Sequence, residues 1–311
     1  MNPHMTKPVF LFCVLVLAAG ATAYSETADE YYSTGEGYFN EGRFEEARKT
    51  LEEAIELYPD DVRFYMAMGN TLYNLDNLNL SLEYFFRAIG LDGGNAEAYN
   101  MRANIYISMG NFEKALEDYN TAIYLEPGND TYYRQRGLLF SMNPNNFAMA
   151  LGDFNRAVEI APLNFENYRE RGVFFLWNGR YESALADLNK AVNLNGESLV
   201  SLNSRGTVFF HLGKPEEAVR DFDTVIRLDG NNYDAYVSRG YVNLHTGKFA
   251  EAVQDYTEAI RIDPDGTVAY FNRGVSLRQL AGITDDFNEA AGYLEKALED
   301  RATSDRLEGK E

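Results

Sequence analysis

A column of tiny residues recurs along this chain at a fixed interval of 34 residues, apart from one interval of 35. Its members are Gly35, Gly69, Ala103, Gly137, Gly172, Gly206, Gly240 and Gly274. A column of bulky residues keeps the same period: Leu51, Phe85, Tyr119, Phe154, Leu188, Phe222, Tyr256 and Leu294. Two further small columns flank it, from Ala47 to Ala290 and from Ala54 to Ala297. A period of this length is typical of proteins built by stacking one supersecondary unit, since a lone unit cannot bury its apolar face.

Each of the eight units is predicted to contain two helices. In the third unit, Tyr99, Ala103 and Tyr106 are spaced by four and three residues and therefore share one helix face. Gly110 interrupts that helix, a second apolar stripe follows, and Pro127 closes the unit because proline cannot continue a helix. Tiny residues midway along each helix allow close approach, and the bulky column fills the adjoining space.

The columns resemble those of the tetratricopeptide repeat family, whose units contain W-x₂-L-G-x₂-Y and A-x₃-F elements followed by proline. Residues 168–175 read YRERGVFF, residues 252–256 read AVQDY, and Pro264 follows. This resemblance covers nearly all of the chain after residue 23. It implies an all-α fold, a right-handed superhelical solenoid of antiparallel helix pairs. It also implies a concave groove, lined by the first helix of each unit, that holds peptides or protein segments.

The repeats are predicted to fill residues 24–304, and a polar tail covers 305–311. Their approximate bounds are 28–61, 62–95, 96–129, 130–164, 165–198, 199–232, 233–266 and 267–304. The fourth repeat carries one extra residue near 141–146, and the eighth carries about four within 280–288. We expect longer helix–helix turns at both places.

Residues 1–23 have the pattern of a secretory signal peptide. Lys7 precedes the apolar stretch Val9–Ala19, and Ala21–Ala23 provides an A-x-A cleavage site. Cleavage would remove Cys13, which is the only cysteine, so the mature chain could form no disulfide. We therefore expect an exported protein, periplasmic or secreted, with a bacterial periplasm favoured. The alternatives are a retained anchor and a lipid on Cys13.

The formal charge of −20 limits the possible partners. An excess of carboxylates repels phosphate backbones and anionic lipid surfaces. We therefore expect no nucleic acid as partner. The apolar stretch Val9–Ala19 is too short to span a bilayer comfortably, so we expect no stable membrane span. The resemblance implies a protein or peptide partner.

Arginine and aspartate form a second pair of columns. The arginines that precede the tiny residues are Arg102, Arg136, Arg171, Arg205, Arg239 and Arg273. The aspartates that precede the bulky residues are Asp118, Asp153, Asp187, Asp221 and Asp255. The third to seventh repeats have both, which favours structural ion pairs over a basic ladder for acidic ligands, because an arginine fork matches a carboxylate. Arg273 has Tyr293 at the aspartate position, so Asp255 of the preceding repeat is its expected partner.

The resemblance also indicates which side chains face the groove. In the early repeats they include Asn70, Asn100 and Asn104, and in the later ones Arg169, Trp177, Phe210, His211, Tyr241 and His245. Asparagine can donate to and accept from the backbone of an extended peptide. Aromatic side chains in a concave site commonly become binding hot spots, so we place the ligand on the fifth to seventh repeats. The alternatives are solvated surface for the asparagines and a partly buried core position for Trp177.

Catalysis is not expected from this sequence. His211 and His245 lie on neighbouring repeats, whose helices pack 8–10 Å apart, too far for both rings to reach one small ion easily. No nucleophile is paired with a base, and we predict no metal and no cofactor. Two functions remain open: a non-catalytic scaffold or adaptor of the cell envelope, and a small-ligand carrier or transport accessory protein.

Overall fold

The computed structural model describes residues 27–309, which contain α-helices, one short 3₁₀ helix and no strand. The predicted signal segment, including Cys13, lies outside the described residues. Within 27–309, no helix combines the length and the apolar character needed to span a bilayer.

The chain divides after Met142 into two compact units. The helices of the first unit are α1 (27–40), α2 (Phe44–Leu57), α3 (Val62–Asn74), α4 (Leu78–Leu91), α5 (Ala96–Ser108), α6 (Phe112–Leu125) and α7 (Asp130–Ser141). The second unit opens with the 3₁₀ helix Pro144–Asn146. Its α-helices are α8 (Phe147–Ile160), α9 (Phe165–Trp177), α10 (Tyr181–Leu194), α11 (Leu199–His211), α12 (Pro215–Leu228), α13 (Tyr233–His245), α14 (Phe249–Ile262), α15 (Thr267–Ile283) and α16 (Phe287–Leu307). The all-α fold of helix pairs predicted from the sequence is confirmed.

Both units are stacks of helix pairs. Within each unit, the two helices of a repeat pack on each other, as α3 does on α4 and α9 on α10, and the second helix packs in turn on the first helix of the next repeat, as α4 does on α5 and α10 on α11. First helices also contact each other, α3 with α5 in the first unit and α9, α11, α13 and α15 in succession in the second. Among the described helices, no two second helices make comparable contact. Each stack therefore curves toward its first helices, and we call the surface that they form the first-helix face.

The tiny column allows the helices of one repeat to touch. A methyl group added at Gly206 would lie 2.8 Å from the Phe222 ring, and one at Gly69 would lie 2.6 Å from the Phe85 ring. Because both rings are almost completely buried, neither can move aside easily. The period in the sequence is thus the period of one close helix–helix contact.

The eighth repeat corrects the predicted register. Helices α15 and α16 have 17 and 21 residues, against 13 and 14 in the seventh repeat. Gly274 faces the backbone of Ala297 and the side chain of Asp300, whereas Leu294, which was expected there, is exposed. The extra residues therefore lengthen both helices, and the turn between them, 284–286, is no longer than the turn of the seventh repeat, 246–248. This turn lies where it was predicted, within 280–288, but the expected longer loop is wrong because added helical turns preserve the packing face.

Candidate interaction surface

Four of the predicted arginine–aspartate pairs have bidentate geometry, with N–O distances of 2.6–3.2 Å. They are Arg102–Asp118, Arg171–Asp187, Arg205–Asp221 and Arg239–Asp255. The third arginine nitrogen often reaches back to the preceding second helix: Arg171 Nη1 donates to Asn155 at 2.8 Å, and Arg205 Nη1 donates to Asn189 at 3.2 Å. Arg171 and Arg205 therefore each tie three helices together, with three of their five N–H donors engaged.

Arg136 and Arg273 have different contacts from these four arginines. Arg136 donates to Asn120 at 2.7 Å within the first unit, and its pairing with Asp153 stays a prediction. The expected pairing of Arg273 with Asp255 is wrong, since Arg273 donates to both carboxylate oxygens of Asp300 at 2.6 and 2.8 Å. The cause is the lengthened eighth repeat, which separates arginine from aspartate by 27 residues instead of 16.

The three asparagines predicted to line the early groove lie on α3 and α5 and differ in what they contact. Asn104 is half-buried, and its Oδ1 accepts a 2.6 Å hydrogen bond from the Tyr119 hydroxyl. Asn70 is half-buried, and its backbone carbonyl accepts a 2.9 Å hydrogen bond from the side-chain amide of Asn74. Asn100 is 4% exposed, and its Oδ1 has no hydrogen-bond partner. They do not form a uniform file of amides open to a peptide.

In the second unit, helices α11 and α13 bring four predicted residues together. The Phe210 ring lies 5.5 Å from Tyr241 and 5.8 Å from His245, and the rings of Tyr241 and His245 are 4.0 Å apart. His211 contacts the edge of Phe210 and stacks on Tyr181 at 4.6 Å. We call these five residues the aromatic cluster. Sequence reasoning missed Tyr181, although an aromatic residue opening a second helix was a visible signal.

Much of this surface is open to solvent. Tyr241 is 42% exposed, His211 and His245 are exposed, and Phe210 is half-buried. Trp177 is 75% exposed, so its alternative interpretation as a partly buried core residue is wrong. Trp177, His211 and His245 are the last residues of α9, α11 and α13, and therefore form one column at the ends of consecutive first helices.

Arg169, the remaining predicted groove residue, has its charge compensated locally. Its guanidinium donates to Glu170 Oε1 at 2.6 and 3.0 Å. It therefore offers little net positive charge to an anionic ligand.

The first unit has a polar cleft of about 550 Å³ where α5 and α7 begin. Its lining includes Asp92, Glu97, Asn100, Glu126 and Tyr132. Of these only Asn100 was predicted, because the others lie at helix ends and in turns, outside the apolar columns. We call it the acidic cleft.

Across the described part of the chain, no group of three or more histidine, cysteine, aspartate or glutamate side chains is arranged to hold a metal ion.

Family models match the chain in four places. Models described as tetratricopeptide repeat match residues 62–95, 96–129 and 203–267, and one described as TPR repeat matches 35–76. Together they cover about half of the chain. No curated protein sequence matches it.

Several solved structures share the fold. A tetratricopeptide repeat protein from Parabacteroides merdae ATCC 43184 is 20% identical, with a TM-score of 0.61 over 81% of this chain and 99% of its own. The Cut9–Hcn1 hetero-tetramer of APC/C gives 16% identity and a TM-score of 0.63, covering 86% of this chain and 48% of that one. PilW, a type IV pilus biogenesis factor, is 15% identical, with a TM-score of 0.60 over 65% of this chain and 94% of its own. At these identities the likeness concerns the fold alone.

Proposed function

Since this chain belongs to the tetratricopeptide repeat family, whose fold is a scaffold for protein–protein interaction, we propose that it binds a peptide or protein segment on its first-helix face. Members of this family are generally non-catalytic. The proposed site is the aromatic cluster together with Trp177, on the fifth to seventh repeats.

The observation that carries this proposal is the joint exposure and clustering of aromatic side chains at the ends of α9, α11 and α13. An exposed indole such as that of Trp177 offers a large apolar area that a partner can remove from water. Aromatic residues also lose little side-chain entropy on binding, so they become hot spots readily. The neighbouring histidines add hydrogen-bonding nitrogens at the rim of the same surface.

The spacing of the repeats indicates what an extended partner would look like. Packed helices lie 8–10 Å apart, and an extended chain advances about 3.3–3.6 Å per residue. About every second or third residue of the partner would therefore meet an equivalent position on the next repeat. A segment with apolar side chains two or three residues apart fits the column of Trp177, His211 and His245.

We also place the protein in the cell envelope as an adaptor. The support is the pattern of residues 1–23, in which a lysine precedes an apolar stretch and an A-x-A site. The strong acidity adds to the case against nucleic acid as the partner.

Affinity capture from an envelope extract, followed by binding measurements with the captured segment, tests the proposal. Trp177→Ala should weaken binding by about 2 kcal/mol or more, roughly thirty-fold, as expected for a hot spot. Because Trp177 is exposed, thermal unfolding should be unchanged. The control is Tyr124→Ala, which removes an aromatic ring that is 84% exposed on a second helix. If Trp177→Ala binds normally while Asn70→Ala abolishes binding, the site lies in the early repeats.

A further inference from the structure

The acidic cleft contains a buried amide oxygen without a hydrogen-bond donor. Asn100 lies on α5 and is 4% exposed, yet its Oδ1 accepts no hydrogen bond. Leaving a buried acceptor without a hydrogen bond is unfavourable, and native proteins have few such groups. Because Asn100 lines the cleft, a bound group that donates a hydrogen bond would remove that cost.

Carboxylates line the same cleft, and none of its lining residues is a lysine or an arginine. Glu126 Oε2 accepts from the Tyr132 hydroxyl and from the Asn129 amide, both at 3.3 Å. Burial raises the pKa of the Tyr132 phenol, and the negative charges of Glu126 and Glu97 raise it further. Both carboxylates therefore contribute negative potential at this phenol.

The two arginines closest in sequence to the lining, Arg102 and Arg134, do not neutralise the cleft. Arg102 pairs with Asp118 at 2.7 Å, Arg134 is buried and pairs with Asp130 at 3.5 Å, and neither is part of the lining. The amino ends of α5 and α7 bring about half a positive charge each. Their caps are already occupied, since Asn95 accepts from Ala98 N and Asn129 accepts from Thr131 N. The three carboxylates of Asp92, Glu97 and Glu126 exceed this positive charge, so the cleft is negative overall.

We propose that the acidic cleft binds a cationic side chain of the partner, with arginine preferred. A guanidinium has five N–H donors in a planar fork and can donate to Asn100 Oδ1 and to a carboxylate at once. Lysine matches the charge but is a compact point charge without that fork. The partner segment comes from the proposed function, whereas the cation site depends only on the residues of the cleft.

A small probe tests the site without the partner. Nuclear magnetic resonance of the full ¹⁵N-labelled chain is recorded while N-acetyl-arginine methylamide is added. We expect saturable shifts at the Asn100 side-chain amide and at residues 96–100. N-acetyl-citrulline methylamide, which has the same shape without the charge, should bind at least ten-fold more weakly. Equal binding of the two probes would overturn the proposal, as would shifts caused by calcium chloride and not by the arginine probe.

Substitutions of the lining carboxylates test whether the arginine probe binds in the acidic cleft. Glu97→Gln combined with Glu126→Gln should weaken arginine binding at least five-fold, and because both carboxylates are exposed the fold should persist. Glu117→Gln, which changes an exposed carboxylate on α6, should leave arginine binding unchanged.

Asn203 on α11 provides an internal reference within the same chain. It has the position equivalent to Asn100, and its Oδ1 also has no hydrogen-bond partner. Val200, however, has the position equivalent to Glu97. Arginine-induced shifts as large at Asn203 as at Asn100 would contradict the role of the carboxylates.

This result is separable from the proposed function. Normal partner binding by Trp177→Ala would overturn the aromatic site but leave the probe titration unaffected. Failure of the titration would remove the cation site and leave the aromatic site in place.

Discussion

The hydroxyl of Tyr119 donates a 2.6 Å hydrogen bond to Asn104 Oδ1 on the first helix of the same repeat. Tyr256 has the equivalent place in the seventh repeat, but Tyr241 stands where Asn104 would be. The buried hydroxyl of Tyr256 consequently has no partner. The tyrosine hydroxyl at this core position therefore has a hydrogen-bond acceptor in the third repeat and has none in the seventh.

Substitution by phenylalanine should separate these two tyrosines. Tyr119→Phe leaves the Asn104 oxygen without its donor and should lower the free energy of unfolding by about 1 kcal/mol. Tyr256→Phe removes an unsatisfied hydroxyl from the core and should be neutral or stabilising. Urea unfolding followed by circular dichroism measures both. Equal losses would mean that the hydrogen bond of Tyr119 contributes nothing.

Alkaline pH should destabilise the fold through the same side chains. Burial raises the pKa of the Tyr119 and Tyr256 phenols above the ordinary value of 10.0. Above pH 10 the unfolded chain therefore releases protons that the folded chain retains, and stability falls as pH rises. Each buried tyrosine should contribute a slope of up to about 1.4 kcal/mol per pH unit.

Urea midpoints between pH 8 and 11, with tyrosinate absorbance at each step, measure this slope. The double phenylalanine variant is the control and should show a shallower decline above pH 10. A double variant whose decline equals that of the wild type would assign the alkaline loss to other groups.

Two glycine-to-alanine changes should have opposite signs. In Gly206→Ala the new methyl lies 2.8 Å from the buried Phe222 ring and should cost about 1–3 kcal/mol. In Gly152→Ala, midway along α8, the methyl meets nothing within 4 Å and should stabilise the helix by about 0.5–1 kcal/mol. Thermal unfolding of both variants decides this. A harmless Gly206→Ala would show that the helices can separate at little cost.

Neighbouring aspartates on α12 should differ in their contribution to stability. Asp221 is buried in a bidentate pair with Arg205, so Asp221→Asn should cost about 3 kcal/mol by leaving a partly buried guanidinium without its counter-charge. Asp223 is 51% exposed beside Arg239, so Asp223→Asn should cost less than about 1 kcal/mol. Denaturant unfolding at low and high salt compares them. Equal costs would mean that burial does not set the strength of these pairs.

Most of the fold was predictable because each regular repeat packs its two helices through the same contact between the same residue types. Gly206 and Phe222 show why: a tiny residue and a ring 16 positions later meet only if two helices pair closely. Clustering of Phe210, His211, Tyr241 and His245 was partly predictable, since equivalent positions of stacked repeats are neighbours. The hydrogen bond that Asn104 Oδ1 accepts from Tyr119 was not predictable, because the sequence position of Asn104 does not reveal its partner.

The sequence by itself determined the helix pairs, their order and the residues that meet between the helices of a regular repeat, because these follow from a local period. Only the tertiary structure decided that Arg273 pairs with Asp300, that Trp177 is exposed and that Asn100 Oδ1 has no donor in a cleft lined by carboxylates. Each of these depends on contacts between segments whose spacing is irregular, at helix ends, turns and the lengthened eighth repeat. There the period stops constraining which side chains meet, and packing in three dimensions sets the partner.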